Sequence, residues 1–225
     1  MTSKKMIKLH VFDMDGTLVD NDCDVLWKRF VVESGLAPES DLELSRNYYR
    51  DYTAGRLDVK AFIEFQHREF VGKTVEEMTA LCRRCFEKLV LPNCRPKAAE
   101  YVRRVVASGA KTVLLSGTNN VISDIVRAHF GIDRVRGTEL ELSADGRFTG
   151  RVAGDYALGG GKVANMLKAA EEAGVRPDEV AAYGDSVTDI PLLAAAGEAY
   201  AISPVPALRA EAEKRNWKIL EWAER

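Results

Sequence analysis

Apolar positions change their spacing along the chain in a way that separates it into two parts. Residues 6–12 form a short, mostly apolar run that predicts a buried strand. From about residue 24 to residue 91, apolar residues recur at steps of three and four, which predicts helices and no strand. After Leu91 and Pro92, helical stretches alternate with short apolar runs. This alternation predicts an α/β fold with a mostly parallel sheet and helices on both faces.

Capping and helix-ending residues locate most of the predicted elements. Thr74 and Glu77 have the spacing of a capping box, and a glycine follows several of the helical patterns. The predicted helices cover 25–34, 39–53, a segment from 58 to 70, a segment from 74 to 89, 96–108, 120–130, 162–173, 188–196 and a segment from 206. The predicted strands after the first cover 111–116, 138–142, 148–152, 180–183, 199–202 and 217–220.

The purely helical segment interrupts the alternating pattern directly after the first strand. A chain of 225 residues has room for one large domain, or for a medium-sized domain and a small one. We therefore expect a core formed by residues 1–21 and 92–225, into which residues 22–91 are inserted as a small helical domain.

Composition narrows the classes of protein to which the chain can belong. Hydrophobic residues make up 46% and charged residues 29%, and the net charge of −2 lacks the basic excess of a dedicated nucleic-acid binder. No apolar run approaches the roughly 18 residues of a membrane-spanning helix, and residues 1–10 lack a following apolar stretch typical of a secretory signal. We expect a cytoplasmic protein whose four cysteines are reduced.

Polar residues cluster where predicted strands end and where the adjoining loops begin. The four clusters are Asp13-Met14-Asp15-Gly16-Thr17, Ser116-Gly117-Thr118-Asn119, Lys162 after the glycines at 159–161, and Gly184-Asp185-Ser186-Val187-Thr188-Asp189. In open parallel sheets, ligands bind at the carboxyl ends of the strands, near the point where the strand order reverses. The shared location predicts that the four clusters form one site.

Residues of these types suit the transfer of a phosphoryl group. Converging carboxylates need a cation, and a site of oxygen ligands suits Mg2+. One aspartate could attack phosphorus, while a second, two residues on, could protonate the leaving oxygen and later activate water. A serine hydroxyl, backbone N–H groups and a lysine could hold the other phosphoryl oxygens, because this chemistry depends chiefly on positioning and charge stabilisation.

In their order along the chain, the four clusters resemble the four motifs of the haloacid dehalogenase (HAD) superfamily. The resemblance extends from residue 7 to about residue 222. The helical insertion after the first motif is similar to the cap domain of subfamily IB, the phosphoserine-phosphatase-like enzymes, as are the predicted hairpin and the run Asp189-Ile190-Pro191-Leu192-Leu193. The resemblance implies a Rossmann-like HAD core with a helical cap at residues 22–91 that closes over the site.

The resemblance also implies roles for single residues. Asp13 would attack phosphorus and form an aspartyl-phosphate, Asp15 would be the general acid and base, and Lys162 would neutralise Asp13 and the phosphoryl oxygens. The residues that would bind phosphate are Gly16, Thr17, Ser116, Gly117 and Lys162. The residues that would form the Mg2+ site are Asp13, Asp15 through its backbone carbonyl, Asp185, and Asp189 beside the metal or one layer behind it.

Two residues are candidates for substrate specificity. Asp22 lies nine positions after Asp13, near the point where phosphoserine phosphatases have a glutamate that contacts the substrate amine. The Asp22 side chain is one carbon shorter than that of glutamate. The alternative interpretation is that Asp22 belongs to a solvated linker leading into the helical segment. Arg56 could present its guanidinium to a substrate carboxylate, as could Arg46 and Arg50, although a solvated helix face is the simpler explanation for each.

Together these residues predict a Mg2+-dependent, phosphoserine-phosphatase-like enzyme that hydrolyses a small phosphorylated metabolite. A phosphomutase of the same fold also uses the two aspartates and stays open as an alternative. A non-catalytic binding module would be expected to lack a motif position, and a dehalogenase needs neither the acid Asp15 nor Mg2+. We expect no nucleic-acid or membrane partner, and a monomer or a homodimer. Phosphoserine and other amino-alcohol or sugar phosphates are the candidate substrates.

Overall fold

The computed structural model describes residues 6–154 and 160–223, so Gly159 of the predicted glycine loop and the outermost residues of the predicted core lie outside the described residues. Within these residues the strands are β1 (Leu9–Asp13), β2 (Lys111–Asn119), β3 (Arg134–Thr138), β4 (Leu140–Leu142), β5 (Phe148–Val152), β6 (Val180–Gly184), β7 (Glu198–Ile202) and β8 (Lys218–Leu220). Six of them form a parallel sheet in the order β3-β2-β1-β6-β7-β8, and β4 pairs with β5 as an antiparallel hairpin. The α/β fold predicted from the sequence is confirmed.

Helices surround this sheet and fill the segment after β1. The α-helices of the described residues are α1 (Cys23–Glu33), α2 (Ser40–Thr53), α3 (Val59–His67), α4 (Val75–Cys85), α5 (Pro96–Ala107), α6 (Asn120–Phe130), α7 (Gly160–Ala173), α8 (Ile190–Ala195) and α9 (Pro206–Arg215). The predicted capping box opens α4, since the Glu77 amide donates to Thr74 Oγ1 at 3.2 Å and the Thr74 amide donates to Glu77 Oε2 at 2.8 Å. Phe70, assigned to the third helix from its spacing, lies in a separate 3-10 turn.

Side chains of the central strands alternate between two buried apolar layers. On β1, Leu9 and Val11 belong to one layer and Phe12 to the other. On β6, Ala182 and Tyr183 divide between the layers in the same way. A strand buried on both faces needs apolar residues at successive positions, which is why these strands appear in the sequence as continuous apolar runs. The two layers require helices on both faces of the sheet, as the alternating pattern predicts.

The helices after β1 share one of these apolar layers. Trp27 of α1 is completely buried, and its ring lies 5.5 Å from that of Phe70. Lys28 is also completely buried, where its Nζ donates to the Phe65 carbonyl and to Glu69 Oε2, both at 2.6 Å. Burial lowers the pKa of Lys28 to about 8, although Glu69 opposes the shift. These contacts join α1 to α3 and the turn that follows it.

The hairpin and β3 differ from the prediction of one strand over 138–142. Thr138 ends β3 in the main sheet, whereas β4 begins at Leu140 and belongs to the hairpin. Sequence periodicity misses β3 because an edge strand with Arg134 and Arg136 lacks an apolar run. The hairpin packs on the helical segment, since the Gly72 amide donates to the Phe148 carbonyl and the Phe148 amide to the Lys73 carbonyl, each at 2.9 Å.

None of the helices in the described ranges combines the length and the apolar character needed to cross a bilayer.

Candidate active site

The four polar clusters meet at one edge of the sheet. Neighbouring strands β2, β1 and β6 end there, and the strand order reverses between β1 and β6. Asp13 is the last residue of β1, Ser116 lies in the second half of β2, and Asp185 follows β6 directly. Lys162 reaches the same place from the first turn of α7. The topology therefore brings together residues that are up to 176 positions apart in the sequence, from Asp13 to Asp189.

Three carboxylates converge at the centre of this edge. Asp13, Asp185 and Asp189 each offer an oxygen within 4.8 Å of the others. Lys162 Nζ lies 2.6 Å from Asp13 Oδ1 and 2.6 Å from Asp189 Oδ1. Thr17 is also completely buried, and its hydroxyl donates to Asp13 Oδ2 and Asp185 Oδ1, each at 3.1 Å. Its side chain, predicted to bind phosphate, therefore organises the carboxylates.

The charges of this carboxylate group do not balance. Burial raises the pKa of Asp13 well above its ordinary value; Lys162 opposes this shift, and Asp189 and Asp185 add to it. Burial and the charge of Asp189 also raise the pKa of Asp185 to about 7. Burial disfavours the charged form of Lys162, but Asp13 and Asp189 outweigh it and hold the lysine pKa well above its ordinary value. Within the described residues, one ammonium lies against two of the three carboxylates in this cluster, and a divalent cation would offset the remaining negative charge.

Asp189 supports this group from behind. Its Oδ1 accepts from Lys162, and its Oδ2 accepts from the backbone amides of Asp185 at 3.2 Å and Ser186 at 3.1 Å. Its side chain is completely buried and both oxygens are engaged. Asp189 therefore holds Lys162 and the loop of Asp185 in place.

The Asp15 side chain points away from the cluster formed by Asp13, Asp185 and Asp189, although Asp15 lies only two residues from Asp13. Its Oδ2 accepts from Ser116 Oγ at 3.2 Å and from Thr118 Oγ1 at 3.0 Å, and its Oδ1 accepts from the Cys23 amide at 2.8 Å. Both side-chain oxygens of Asp15 are therefore engaged away from the other carboxylates. The arrangement gives Asp13 and Asp15 different surroundings although they are two residues apart.

A cavity of about 850 Å3 opens above these residues. Ser116 and Gly117 line it together with Gly16 and Lys162. Ser116 could have been the N-cap of α6, but Asn119 has that position and accepts from the Ile122 amide. The hydroxyl of Ser116 is therefore not used to cap α6, and it donates to Asp15 Oδ2 at the cavity lining.

Gly16 allows the loop after β1 to pass close to Asp185. Its φ of +80° is unfavourable for other residues, and a Cβ atom there would overlap the Asp185 carboxylate. We expect Gly16→Ala to lower kcat/KM by roughly 10- to 100-fold, because displaced catalytic groups lose alignment. Steady-state kinetics with purified variants would measure this.

Gly146 provides the matched control for that substitution. It has a φ of +77° in the hairpin turn, and a Cβ atom there would meet nothing within 4 Å. Gly146→Ala should therefore show backbone strain as a lower melting temperature, with kcat/KM unchanged. Equal kinetic losses in both variants would contradict the assigned role of the Gly16–Asp185 contact.

The wall of the cavity opposite the carboxylates comes from the helical segment. Asp22 is the N-cap of α1, where its Oδ1 accepts from the amides of Asp24 at 2.9 Å and Val25 at 3.0 Å. Burial and the charge of Asp15 raise the pKa of Asp22 to about 7. Asp24 lies beside it, receives a hydrogen bond from Gln66 Nε2 at 3.0 Å, and has its pKa raised by burial and by Asp22. The remaining lining of this wall includes Ser45, Arg46, Tyr48, Tyr49, Tyr52 and Phe62.

Arg56 lies away from this cavity. Its guanidinium is largely exposed and lies 3.0 Å from Asp51 Oδ1, and the residue is not part of the cavity lining. Asp22 and Arg46 therefore reach the cavity, and Arg56 does not.

Two residues of the site carried no recognisable sequence signal. Arg95 precedes α5 and is 7% exposed; its Nη2 donates to the Gly16 carbonyl at 3.0 Å and to Asp20 Oδ1 at 2.6 Å. Tyr52 is the other, since an isolated hydroxyl has no pattern of its own. Arg95 also holds Asp20, so that the charge of Asp20 is paired outside the cluster of Asp13, Asp185 and Asp189.

Comparisons with known proteins agree with this geometry. Residues 10–194 match the family model described as haloacid dehalogenase-like hydrolase. A histidinol-phosphatase of Neisseria meningitidis is 31% identical over 221 residues, which cover 96% of this chain and all of that protein. A phosphoserine phosphatase of Mycobacterium tuberculosis is 28% identical over 222 residues, covering 94% of this chain and 70% of that protein.

Solved structures resemble this chain over nearly its whole length. A Bordetella pertussis protein of unknown function has a TM-score of 0.88 and 27% identity, with 97% of this chain and 100% of that chain covered. A substrate-bound phosphoserine phosphatase has a TM-score of 0.70 and 21% identity, with 96% and 94% covered. The latter likeness establishes the fold.

Proposed function

Because the chain belongs to the haloacid dehalogenase-like hydrolase family, we propose that it is a Mg2+-dependent phosphatase that hydrolyses a small phosphomonoester through an aspartyl-phosphate on Asp13. The observation that carries this proposal is the contrast between two aspartates of one loop. Asp13 lies among carboxylates and 2.6 Å from Lys162, whereas Asp15 accepts from two hydroxyls at the cavity. These are the surroundings that a nucleophile and a proton-transfer group need.

The reaction would occur in two steps. In the first, a carboxylate oxygen of Asp13 forms a bond to phosphorus as the bond to the leaving oxygen breaks, and Asp15 gives its proton to that oxygen. In the second, Asp15 takes a proton from water, the water oxygen attacks phosphorus, and the bond to Asp13 breaks to release inorganic phosphate. Ser116, the Gly117 amide and Lys162 would hold the phosphoryl oxygens throughout.

The metal fits the residues that face it. Carboxylate oxygens of Asp13 and Asp185 and the backbone carbonyl of Asp15 would hold Mg2+, while Asp189 would hold the loop. When bound, Mg2+ would neutralise the negative charge of the carboxylates and of the phosphoryl group.

We propose residues 22–91 as a cap and residues 1–21 and 92–225 as the catalytic core. The two connections between them support this division because they run together. The Asp20 amide donates to the Asn93 carbonyl at 2.7 Å, and the Arg95 amide donates to the Leu18 carbonyl at 2.9 Å. Paired connections of this kind could act as a hinge.

The cap wall favours a substrate with a positive charge. Asp22 and Asp24 would contact a protonated amine, and the tyrosines would contact a planar ring. The names of the relatives point to histidinol phosphate and phosphoserine, both of which have an amine. We propose an amine-bearing phosphomonoester, with a ring-bearing one preferred because the aromatic side chains Tyr48, Tyr49, Tyr52 and Phe62 outnumber the guanidinium of Arg46 on this wall.

A substrate panel tests this proposal. We expect histidinol phosphate to be hydrolysed with a higher kcat/KM than phosphoserine, and both to be better than the same esters without the amine. In Asp24→Asn, and in Asp22→Asn, whose asparagine can still cap α1, kcat/KM for the amine-bearing esters should fall by roughly 10- to 100-fold, the value of a charge-assisted hydrogen bond.

The amine-free esters and a surface variant serve as controls for that panel. Neither substitution should change kcat/KM for amine-free esters, and Asp51→Asn, on the exposed face of α2, should change nothing. Equal losses for both kinds of ester would contradict the amine contact. Formation of an isomeric ester without release of inorganic phosphate would instead identify a phosphomutase.

A further inference from the structure

One hydrogen bond joins the cap wall directly to the loop after β6. Tyr52, near the end of α2, has its hydroxyl 3.2 Å from Thr188 Oγ1, across 136 positions of sequence. Both residues line the cavity. The contact therefore spans the mouth of the site, from the segment proposed as the cap to the loop that carries Asp185.

The bond continues as a connected series of hydrogen bonds that reaches Asp13. Thr188 Oγ1 lies 2.7 Å from Ser186 Oγ, which donates to Asp189 Oδ2 at 3.2 Å. The other oxygen of Asp189 accepts from Lys162, which also donates to Asp13, both at 2.6 Å. A change in the position of Tyr52 can therefore reach the side chain that orients the proposed nucleophile.

Tyr52 is suited to positioning and not to proton transfer. Burial raises the pKa of its hydroxyl to about 12, against the opposing charge of Lys162. The side chain has its hydroxyl at Thr188 and not at Asp13 or Asp15, which are the groups assigned to the reaction.

We infer that Tyr52 is a positioning residue that couples the closed cap to the alignment of Lys162 and Asp13. When the cap closes on substrate, the Tyr52 hydroxyl binds Thr188, and the loop of Ser186 and Asp189 is held in the arrangement that fixes Lys162. When the cap opens, this bond breaks and the lysine is less firmly held. The inference rests on the proposed phosphatase function and adds to it a means by which substrate binding in the cap prepares the core.

The test is a double-mutant cycle with Tyr52→Phe and Thr188→Val, measured as inorganic phosphate released from the best substrate of the panel. Tyr52→Phe should lower kcat by about three- to tenfold, the value of one hydrogen bond, and KM should change less than twofold. Thr188→Val should lower kcat by at least as much, because it also removes the bond to Ser186. The double variant should lose no more than Thr188→Val, because that variant already lacks the bond that Tyr52→Phe removes. Additive losses, or a raised KM with kcat unchanged, would overturn the inference.

Tyr101→Phe is the matched control. It also removes a tyrosine hydroxyl bond, between Tyr101 and Tyr183 at 3.1 Å, but at a distance from the cavity lining. This variant should lower the melting temperature without changing kcat.

A second measurement separates failure of the inference from failure of the proposed function. Amide hydrogen exchange of the full-length protein should be faster over residues 40–53 in Tyr52→Phe than in wild type, and unchanged there in Tyr101→Phe. If wild type releases no phosphate from any ester, the proposed function fails, but faster exchange would still support the contact between cap and loop. Unchanged exchange in Tyr52→Phe would overturn the inference whatever the activity.

Discussion

The Asp13→Asn variant should lose phosphatase turnover by on the order of 10^4-fold or more, the scale observed when an enzyme loses the nucleophile of a covalent mechanism. The amide has nearly the same shape as the carboxylate but cannot form the bond to phosphorus. The measurement is steady-state release of inorganic phosphate. A rapid acid quench with phosphorus-labelled substrate should in addition leave the label on wild-type protein and not on the variant.

The fold of Asp13→Asn should survive, which makes the loss interpretable. Burial raises the pKa of Asp13, so a neutral side chain at this position removes an unfavourable buried charge. In the absence of metal the variant should unfold at the same temperature as wild type or a higher one. Asp124→Asn, at an exposed ion pair with Arg127 on α6, is the control and should retain full activity. Wild-type turnover in Asp13→Asn would refute the assigned nucleophile.

The contrast between Asp13 and Asp15 could be predicted only in part from the sequence. Their spacing, and their place after an apolar run, indicate a pair of carboxylates at the end of a strand. Their different partners depend on residues more than 100 positions away, since Ser116 binds Asp15 and Lys162 binds Asp13. Parallel sheets create such proximity because each crossover returns the chain to the same edge.

The parts of the fold that sequence reasoning missed have a common physical origin. β3 is an exposed edge strand, so burial does not impose an apolar run on Arg134 and Arg136. Arg95 and Tyr52 act through individual long-range contacts, which leave no periodic trace in the sequence. The capping box of Thr74 and Glu77 was recognisable because both partners lie within one helical turn.

The catalytic edge is more predictable from the sequence than the cap wall, because isolated long-range contacts dominate the cap wall. At the edge, the backbone topology limits which residues can meet, and four motifs lie where strands end. In the cap, Asp22 and Arg56 were both candidates for substrate specificity, and their different positions depend on helix orientation. Asp22 caps α1 and lines the cavity, whereas Arg56 is held by Asp51 on the outside.

The second large effect is expected from the metal, through Asp185. Its pKa is about 7 in the folded, metal-free protein and 3.8 in the reference state, because of burial and the charge of Asp189. Between about pH 4 and 7 the folded state therefore retains a proton that the unfolded state has released, and its stability falls as pH rises. Addition of Mg2+ to the metal-free protein should therefore raise its melting temperature most at pH 8 and least at pH 5, because at pH 5 the cation must displace that proton.

Thermal unfolding with EDTA or with Mg2+ at both pH values measures this effect. A Mg2+ concentration about 100-fold above Kd should stabilise the protein at pH 8 by about 2.7 kcal/mol, or roughly 5–10 °C for a chain of this size. In Asp185→Asn the melting temperature without metal at pH 8 should rise above that of wild type, since the buried charge is gone. The stabilisation by Mg2+ should be lost in this variant, and its turnover should fall by at least about 100-fold.

A charge removed elsewhere distinguishes a bound cation from general screening. Glu43 is exposed on α2, so Glu43→Gln lowers the net negative charge by the same amount as Asp185→Asn but leaves the carboxylate group intact. Glu43→Gln should show the same Mg2+-dependent rise in melting temperature at pH 8 as wild type. An equal gain from Mg2+ in Asp185→Asn and wild type, or a larger gain at pH 5 than at pH 8, would refute the metal site formed by Asp13, Asp15 and Asp185. If Mg2+ fails to raise the melting temperature only in Asp185→Asn, then one carboxylate determines the pH dependence of stability and also binds the metal needed for turnover.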